Sequence, residues 1–206
     1  MRAVADELDV TPMALYKHVG NRSQLVDGML DRVLESVPAG VTAHADDADR
    51  ADWRDAVRTR IRATRAALSA HPWSREAIET RTLATPRVLA HMDALMRAMF
   101  AGGLSADLVH HAMHALSTRM WGFTRDVLPT PQAPADPEER SRAMTEFAVA
   151  YPSIVRMATA APHAGAACDD DAEFAFALDL LLDGIHSLHK SGWRSDDVVG
   201  SAAEAG

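Results

Sequence analysis

The segment Val4-Ala5-Asp6-Glu7-Leu8-Asp9-Val10-Thr11-Pro12-Met13-Ala14-Leu15-Tyr16-Lys17-His18-Val19 constrains the chain most, because it reads as two short helices joined by a tight turn. Val4, Ala5 and Leu8 fall on one helical face. Asp9-Val10 breaks that period, and Asp tolerates a left-handed turn. Thr11 suits an N-cap, whose hydroxyl accepts a bond from an orphan amide of the next helix. Pro12 suits the first helical position, where a missing N–H costs nothing. Ala14, Leu15 and Val19 then turn toward the first helix. Met13, Tyr16, Lys17 and His18 are left facing outward, as a helix-turn-helix needs in order to meet a major groove.

Beyond residue 20 the apolar residues keep a helical period almost throughout, so the expected fold is all-α. Leu25, Val26, Met29, Leu30, Val33, Leu34 and Val37 mark an amphipathic helix that ends at Pro38-Ala39-Gly40. The acidic stretch at 45–49 reads as a solvated loop. Trp53, Val57, Ile61, Thr64 and Leu68 mark the next helix, broken at His71-Pro72-Trp73. A short helix is expected over 76–82. Pro86 opens another, with Val88, Leu89, Met92, Leu95, Met96 and Met99 inward and Gly102-Gly103 at its end. Ser105 caps a long helix expected over 106–127. The proline-rich stretch 129–137 cannot continue it. A helix to about residue 149 follows, then a kink at Tyr151-Pro152 and a loop over 162–171. The last helix carries Phe174, Ala177, Leu178, Leu181, Leu182, Ile185 and Leu188 on one side.

With 206 residues and 48% hydrophobic composition, a sizeable core is expected. The single Cys168 excludes a disulfide framework within the chain and suits a reducing cytoplasm. No apolar run is long enough to span a bilayer, so no membrane partner is expected. The net charge of −8 gives no support for a polyanion partner, and in the first 22 residues Arg2, Lys17 and Arg22 balance Asp6, Glu7 and Asp9.

Leu15-Tyr16-Lys17-His18-Val19-Gly20-Asn21-Arg22, followed by Leu25-Val26-Asp27, resembles the tetracycline-repressor (TetR) family of bacterial transcription regulators. In that family this pattern closes the recognition helix and opens the helix linked to the regulatory core. The resemblance implies a helix-turn-helix with its connecting helix at 1–37, a regulatory and dimerisation domain at 50–192 and a flexible tail at 193–206. Family members carry a further helix upstream of the helix-turn-helix, whereas this chain begins inside the second helix. The remnant is expected to be marginally stable, having little apolar area to bury.

The resemblance further implies a palindromic double-stranded DNA operator as partner. Arg2 would reach a base edge, and Met13 and Ala14 would touch thymine methyls. Tyr16, Lys17 and Arg22 would contact phosphates, with His18 in either group and Thr11 and Pro12 opening the helix. The segments 103–123 and 173–184 match the family's dimer-forming helices, whose broad apolar faces suit a homodimer. A small-molecule effector is expected in the helical core, lined by Thr64, His110, Met113, His114 and Ser117, with Met96 and Phe100 nearby. Met side chains re-pack around apolar ligands, though Met92, Met96 and Met99 also suit ordinary core filling. The family's magnesium-binding His position falls near Ala77, its carboxylate on Asp126 and a neighbouring Thr near Thr80. The missing His argues against a tetracycline–magnesium effector and for another small, largely apolar one.

No metal site or cofactor is expected. His110 and His114 stand four apart and can share a metal, but no nearby Cys or carboxylate completes a set. His186 and His189 suit the C-terminal end of a helix. The chain carries no phosphate loop, Gly-x-Ser-x-Gly elbow or His-Glu-x-x-His, and Cys168 sits beside Asp169, Asp170 and Asp171, which disfavours a thiolate. The expected function is therefore a cytoplasmic, ligand-responsive repressor and not an enzyme. The alternative is a dimeric small-molecule-binding protein that no longer binds DNA.

Overall fold

A computed structural model describes residues 1–38, 52–123, 134–160 and 169–197. They form ten α-helices and one short 3-10 turn, with no strand among the described residues. Two compact units divide the chain at 123/124 and 175/176.

The first unit runs from Met1 to Phe123 and resumes at Phe176. Helices α1 (Arg2–Glu7) and α2 (Pro12–Tyr16) form the helix-turn-helix, and α3 (Arg22–Glu35) leads from it. The core contains α4 (Trp53–Ser69), α5 (Trp73–Glu79), α6 (Pro86–Ala101), α7 (Ala106–Ala115) and α10 (Asp170–Lys190) from Phe176 onward. Helix α4 lies at the centre, packed on α3, α5 and α6. It buries Trp53, Val57, Ile61, Thr64 and Leu68, one residue per turn, while the same helix carries a run of arginines on its other side. Leu95 and Met99 of α6, Leu108 and Leu116 in and after α7, and Leu178 and Leu182 of α10 are equally buried. Burying each such side chain contributes about 1.5–3 kcal/mol.

Arg54 and Arg58, one turn apart on α4, meet Asp183 and Asp179, one turn apart on α10, at 2.8 and 2.7 Å. The matched spacing pins α10 to α4 in register. The Asp179 carboxylate holds the Arg58 guanidinium above its ordinary range, against the opposing cost of burial.

The second unit contains α8 (Pro137–Ala150) and α9 (Pro152–Ala160). Asp136 caps α8 by accepting from the Glu139 amide at 2.9 Å, with Pro137 at the first helical position. Tyr151 separates the two helices at the expected kink, its ring 5.0 Å from that of Phe147.

Several expectations need correction. The long helix over 106–127 ends at Ala115, and a 3-10 turn, Arg119–Trp121, follows. Gly122 then adopts φ 78, and a Cβ there would lie 2.5 Å from the Arg65 Cα. This left-handed residue stops the helix, and the close approach to α4 requires glycine. The short helix occupies Trp73–Glu79 instead of 76–82. Pro72 (φ −54) starts its turn, the Ser74 hydroxyl donates to the Leu68 carbonyl, and Thr80 ends it by donating to Glu76. Met29 and Leu89, expected inward, are exposed. Just past α10, the Ser195 amide donates to Asp107 at 2.8 Å and the Trp193 ring packs edge-on to His111. The acidic loop at 45–49, residues 124–127, the stretch 129–133 and Cys168 lie outside the described residues.

Candidate functional site

The turn of the helix-turn-helix is built by three consecutive local choices. Asp9 takes the left-handed conformation (φ 52), and the Val10 amide returns to the Ala5 carbonyl at 3.0 Å. Thr11 is extended, and its hydroxyl accepts from the Ala14 amide at 3.2 Å. Pro12 occupies the first position of α2. Ala5 is fully buried between the two helices, while Ala14, Leu15 and Val19 are half-buried.

The outward face carries most of the residues expected to meet DNA. Met13 is 74% exposed and Tyr16 46%, and Arg2, Thr11, Lys17, His18 and Arg22 are also exposed; Pro12 is half-buried. Lys17 and His18 lie just past the α-helix, in a turn held by the His18 amide on the Leu15 carbonyl. Asn21 caps α3 through the Gln24 amide, and Gln24 reaches back to the Gly20 amide at 2.8 Å, a reciprocal cap. Val4, Leu8 and Val10 remain exposed beside this head, Leu8 by 59%.

A second feature, absent from the sequence reading, ties the head's helix to the core. Asp27, Asp31 and Glu35 repeat every fourth residue along α3. Arg81 approaches Asp27 at 2.7 Å, the Thr85 hydroxyl donates to Asp31, and Arg87 meets Glu35 at 2.6 Å. Arg81 also donates to the Ser23 hydroxyl at 3.1 Å. Hydrogen bonds from Arg32 and then Arg87 hold the Glu35 carboxyl below its ordinary range. The acidic i, i+4, i+8 stripe is the signal that could have exposed this ladder.

Within the core, the sequence-selected effector residues separate. Thr64 and Met113 are buried and Met96 is half-buried, whereas Phe100, His110, His114 and Ser117 are exposed. Thr64 instead joins His91, a buried histidine that the sequence reading passed over. The Thr64 hydroxyl donates to the Arg60 carbonyl at 2.9 Å and stands 3.4 Å from His91 Nδ1. His91 Nε2 donates to the Met120 carbonyl at 2.9 Å, and the imidazole lies 4.8 Å from the Trp121 ring. Burial pushes the His91 pKa down to about 4; the Met120 bond opposes this and the nearby Arg60 charge reinforces it. His91 could have been found in sequence as the polar member of the Val88, His91, Leu95, Met99 stripe. Ala77, near which the resemblance puts the family's metal-binding His, is buried. Asp126 lies outside the described residues.

A separate cleft of about 380 Å³ opens between the start of α7 and the end of α10, lined in part by Ser105, Asp107, Leu108, His189, Trp193 and Arg194. It shares none of the expected effector residues. Among the described residues no three His, Cys, Asp or Glu side chains gather in a way that could hold a metal.

These features define a helix-turn-helix regulator with an α-helical core. Residues 46–188 match the tetracyclin repressor-like, C-terminal domain, and the chain belongs to the TetR family of transcription regulators, not to a family of enzymes. It is 31% identical over 122 residues to an HTH-type transcriptional regulator of Saccharopolyspora erythraea, covering 59% of this chain and 49% of that protein. It is 26% identical over 198 residues to the HTH-type transcriptional repressor DrrR1 of Streptomyces coeruleorubidus, covering 91% of this chain and 70% of that one. The chain thus spans about half the length of the first relative. The crystal structure of a possible TetR family transcriptional regulator from Streptomyces coelicolor is similar, with TM-score 0.67, 25% identity, and 91% and 88% of the two chains covered. BioQ bound to its double-stranded DNA operator is also similar, with TM-score 0.53, 26% identity, and 90% and 84% covered.

Proposed function

We propose that the chain is a homodimeric transcriptional repressor that leaves its operator when a small, largely apolar effector enters the core. The observation that carries this reading is the head itself: a capped α2 with Met13, Tyr16, Lys17 and His18 exposed, joined through α3 to the core by the Asp27, Asp31 and Glu35 ladder. The repressor name of the Streptomyces coeruleorubidus relative and the operator-bound BioQ support it.

In this reading two α2 helices enter successive major grooves about 34–36 Å apart. Arg2 reads a base edge, Met13 and Ala14 touch thymine methyls, and Tyr16, Lys17 and Arg22 hold phosphates. The dimer forms on α10, where Phe176, Leu180 and Leu188 are exposed at four-residue multiples and Gly184 leaves open space between them. An apolar stripe of this kind on a core helix suits burial against a copy of itself. The effector site centres on Thr64, Met96 and Met113, and in this reading the buried His91 beside Thr64 is the polar group that fixes orientation. The protein works in the cytoplasm, and no described helix is long and apolar enough to cross a membrane.

Induction is a coupling of about 1–3 kcal/mol, enough to change operator occupancy 5- to 150-fold. Footprinting of the DNA flanking the gene is expected to show two protected half-sites related by a two-fold axis. A single protected half-site opposes the dimeric reading. A second reading, a dimeric small-molecule-binding protein that no longer binds DNA, draws on Val4, Leu8 and Val10, which stand exposed beside the head.

A further inference from the structure

We infer that His110 and His114 of α7 form half of a transition-metal site, suited to Zn²⁺, which the same pair from a second copy of the chain completes. This rests on the homodimer proposed above and goes beyond it.

The two imidazoles stand one helical turn apart, with ring centroids 4.7 Å from each other, and both are exposed. Neutral imidazoles at i, i+4 can ligate one dication, and Zn²⁺ prefers four ligands in a tetrahedron. One copy therefore supplies half of a set, which agrees with the lack of any three-ligand group among the described residues. His111 stands edge-on to His110, with ring centroids 5.2 Å apart, but it also lies 3.6 Å from Asp107 and packs on Trp193. His186 and His189 are a poorer pair, with rings 6.5 Å apart and His186 facing Trp53.

The surroundings favour a second copy as the source of the remaining ligands. Helix α7 buries Leu108, Val109, Ala112 and Met113 and turns His110 and His114 outward, and it adjoins the end of α10, the helix of the proposed dimer, where the His111 ring packs edge-on to Trp193. A homodimer that covers this face takes imidazoles out of water, which is costly unless their nitrogens gain partners. A shared metal supplies four such partners at once. Nitrogen ligands select Zn²⁺, Cu²⁺ or Ni²⁺ over Mg²⁺.

The test titrates ZnSO4 into the full chain after chelator treatment, by calorimetry, and follows mass by light scattering. The inference predicts one Zn²⁺ per two chains, dimerisation tightened at least about tenfold by the metal, and no heat with MgSO4. His110→Gln/His114→Gln is expected to lose both Zn²⁺ binding and the tightening, while His111→Gln keeps them. A dimer that binds no Zn²⁺ overturns this inference and leaves the homodimer standing. One Zn²⁺ per chain, or binding that survives the double substitution, overturns the shared site. A chain that stays monomeric with and without Zn²⁺ overturns the homodimer and the shared site with it.

Discussion

Arg81 Nε lies 2.7 Å from Asp27 Oδ1, an ion pair between a guanidinium just after α5 and the helix that follows the helix-turn-helix. Arg81 is the first rung of a ladder that continues through Thr85 and Arg87. In the proposed mechanism a displacement around α5 or α6 would reach α3 through these pairs. Arg81→Ala is expected to cost less than about 1 kcal/mol of stability, as partly exposed ion pairs do. It is expected to shrink the effector-induced change in operator affinity severalfold. A double-mutant cycle with Asp27→Asn, read as operator affinity with and without effector, checks this. Additive effects of the two substitutions would count against the ladder as a coupling element.

His91 makes stability depend on pH in a defined window. Its folded pKa is about 4, below the ordinary value of 6.5, so the native state favours the neutral ring. The unfolded chain then binds more protons between those values, and stability present above pH 6.5 falls as the pH drops toward 4. The loss amounts to roughly 3 kcal/mol. The carboxyls of Asp52 and Asp107 are held low, the first chiefly by Arg54 and the second by the Ser195 amide, so their contributions disappear at still lower pH. Urea unfolding at pH 7.5 and 5 is expected to show the His91 loss, and His91→Gln is expected to flatten it. An unchanged slope in that variant would assign the loss to other groups.

Gly122 is the residue at which the α7 segment turns back toward α4. Its φ of 78 and the 2.5 Å approach of a Cβ to the Arg65 Cα leave no room for a side chain. Gly122→Ala combines backbone strain of about 1 kcal/mol with overpacking of about 1–3 kcal/mol. Gly28→Ala is the control, since a Cβ there meets nothing within 4 Å and α3 is helical. The control is expected to be neutral or slightly stabilising. Thermal unfolding of the two variants gives the comparison. Equal melting temperatures would contradict the close approach.

These cases show which parts of the molecule were legible in its sequence. Asp9, Thr11, Pro12, Pro86 and Ser105 were legible because each acts on its own neighbours: a left-handed turn, a cap, a fixed φ. The helix break before Gly122 was not, since the partner that demands it, Arg65, lies far away in sequence. Met29 and Leu89 read as inward because a 3-and-4 pattern fits a wide arc, but packing decides which edge is covered and leaves both exposed. The α3 ladder and the His91 cluster depend on pairings across distant segments. The exposed positions of His110 and His114 likewise follow from how α7 is rotated against the core.

Lys17 is exposed just past the end of α2, where it would meet a phosphate. Lys17→Ala is expected to weaken binding to every sequence alike and to reduce the salt slope by about 0.9. Titrations at two salt concentrations on the operator and on one-base variants separate the possibilities. A loss confined to one base pair would make Lys17 a reader instead of an anchor.

Binding of the chain to a labelled duplex taken from the DNA flanking its own gene, against a scrambled duplex at the same salt, tests the central claim most directly. The account predicts a preference of at least about 10³-fold, with two chains bound per duplex. Equal affinity for the two duplexes would contradict it by leaving only sequence-independent binding, and no binding to either would contradict it and favour the dimeric small-molecule-binding protein.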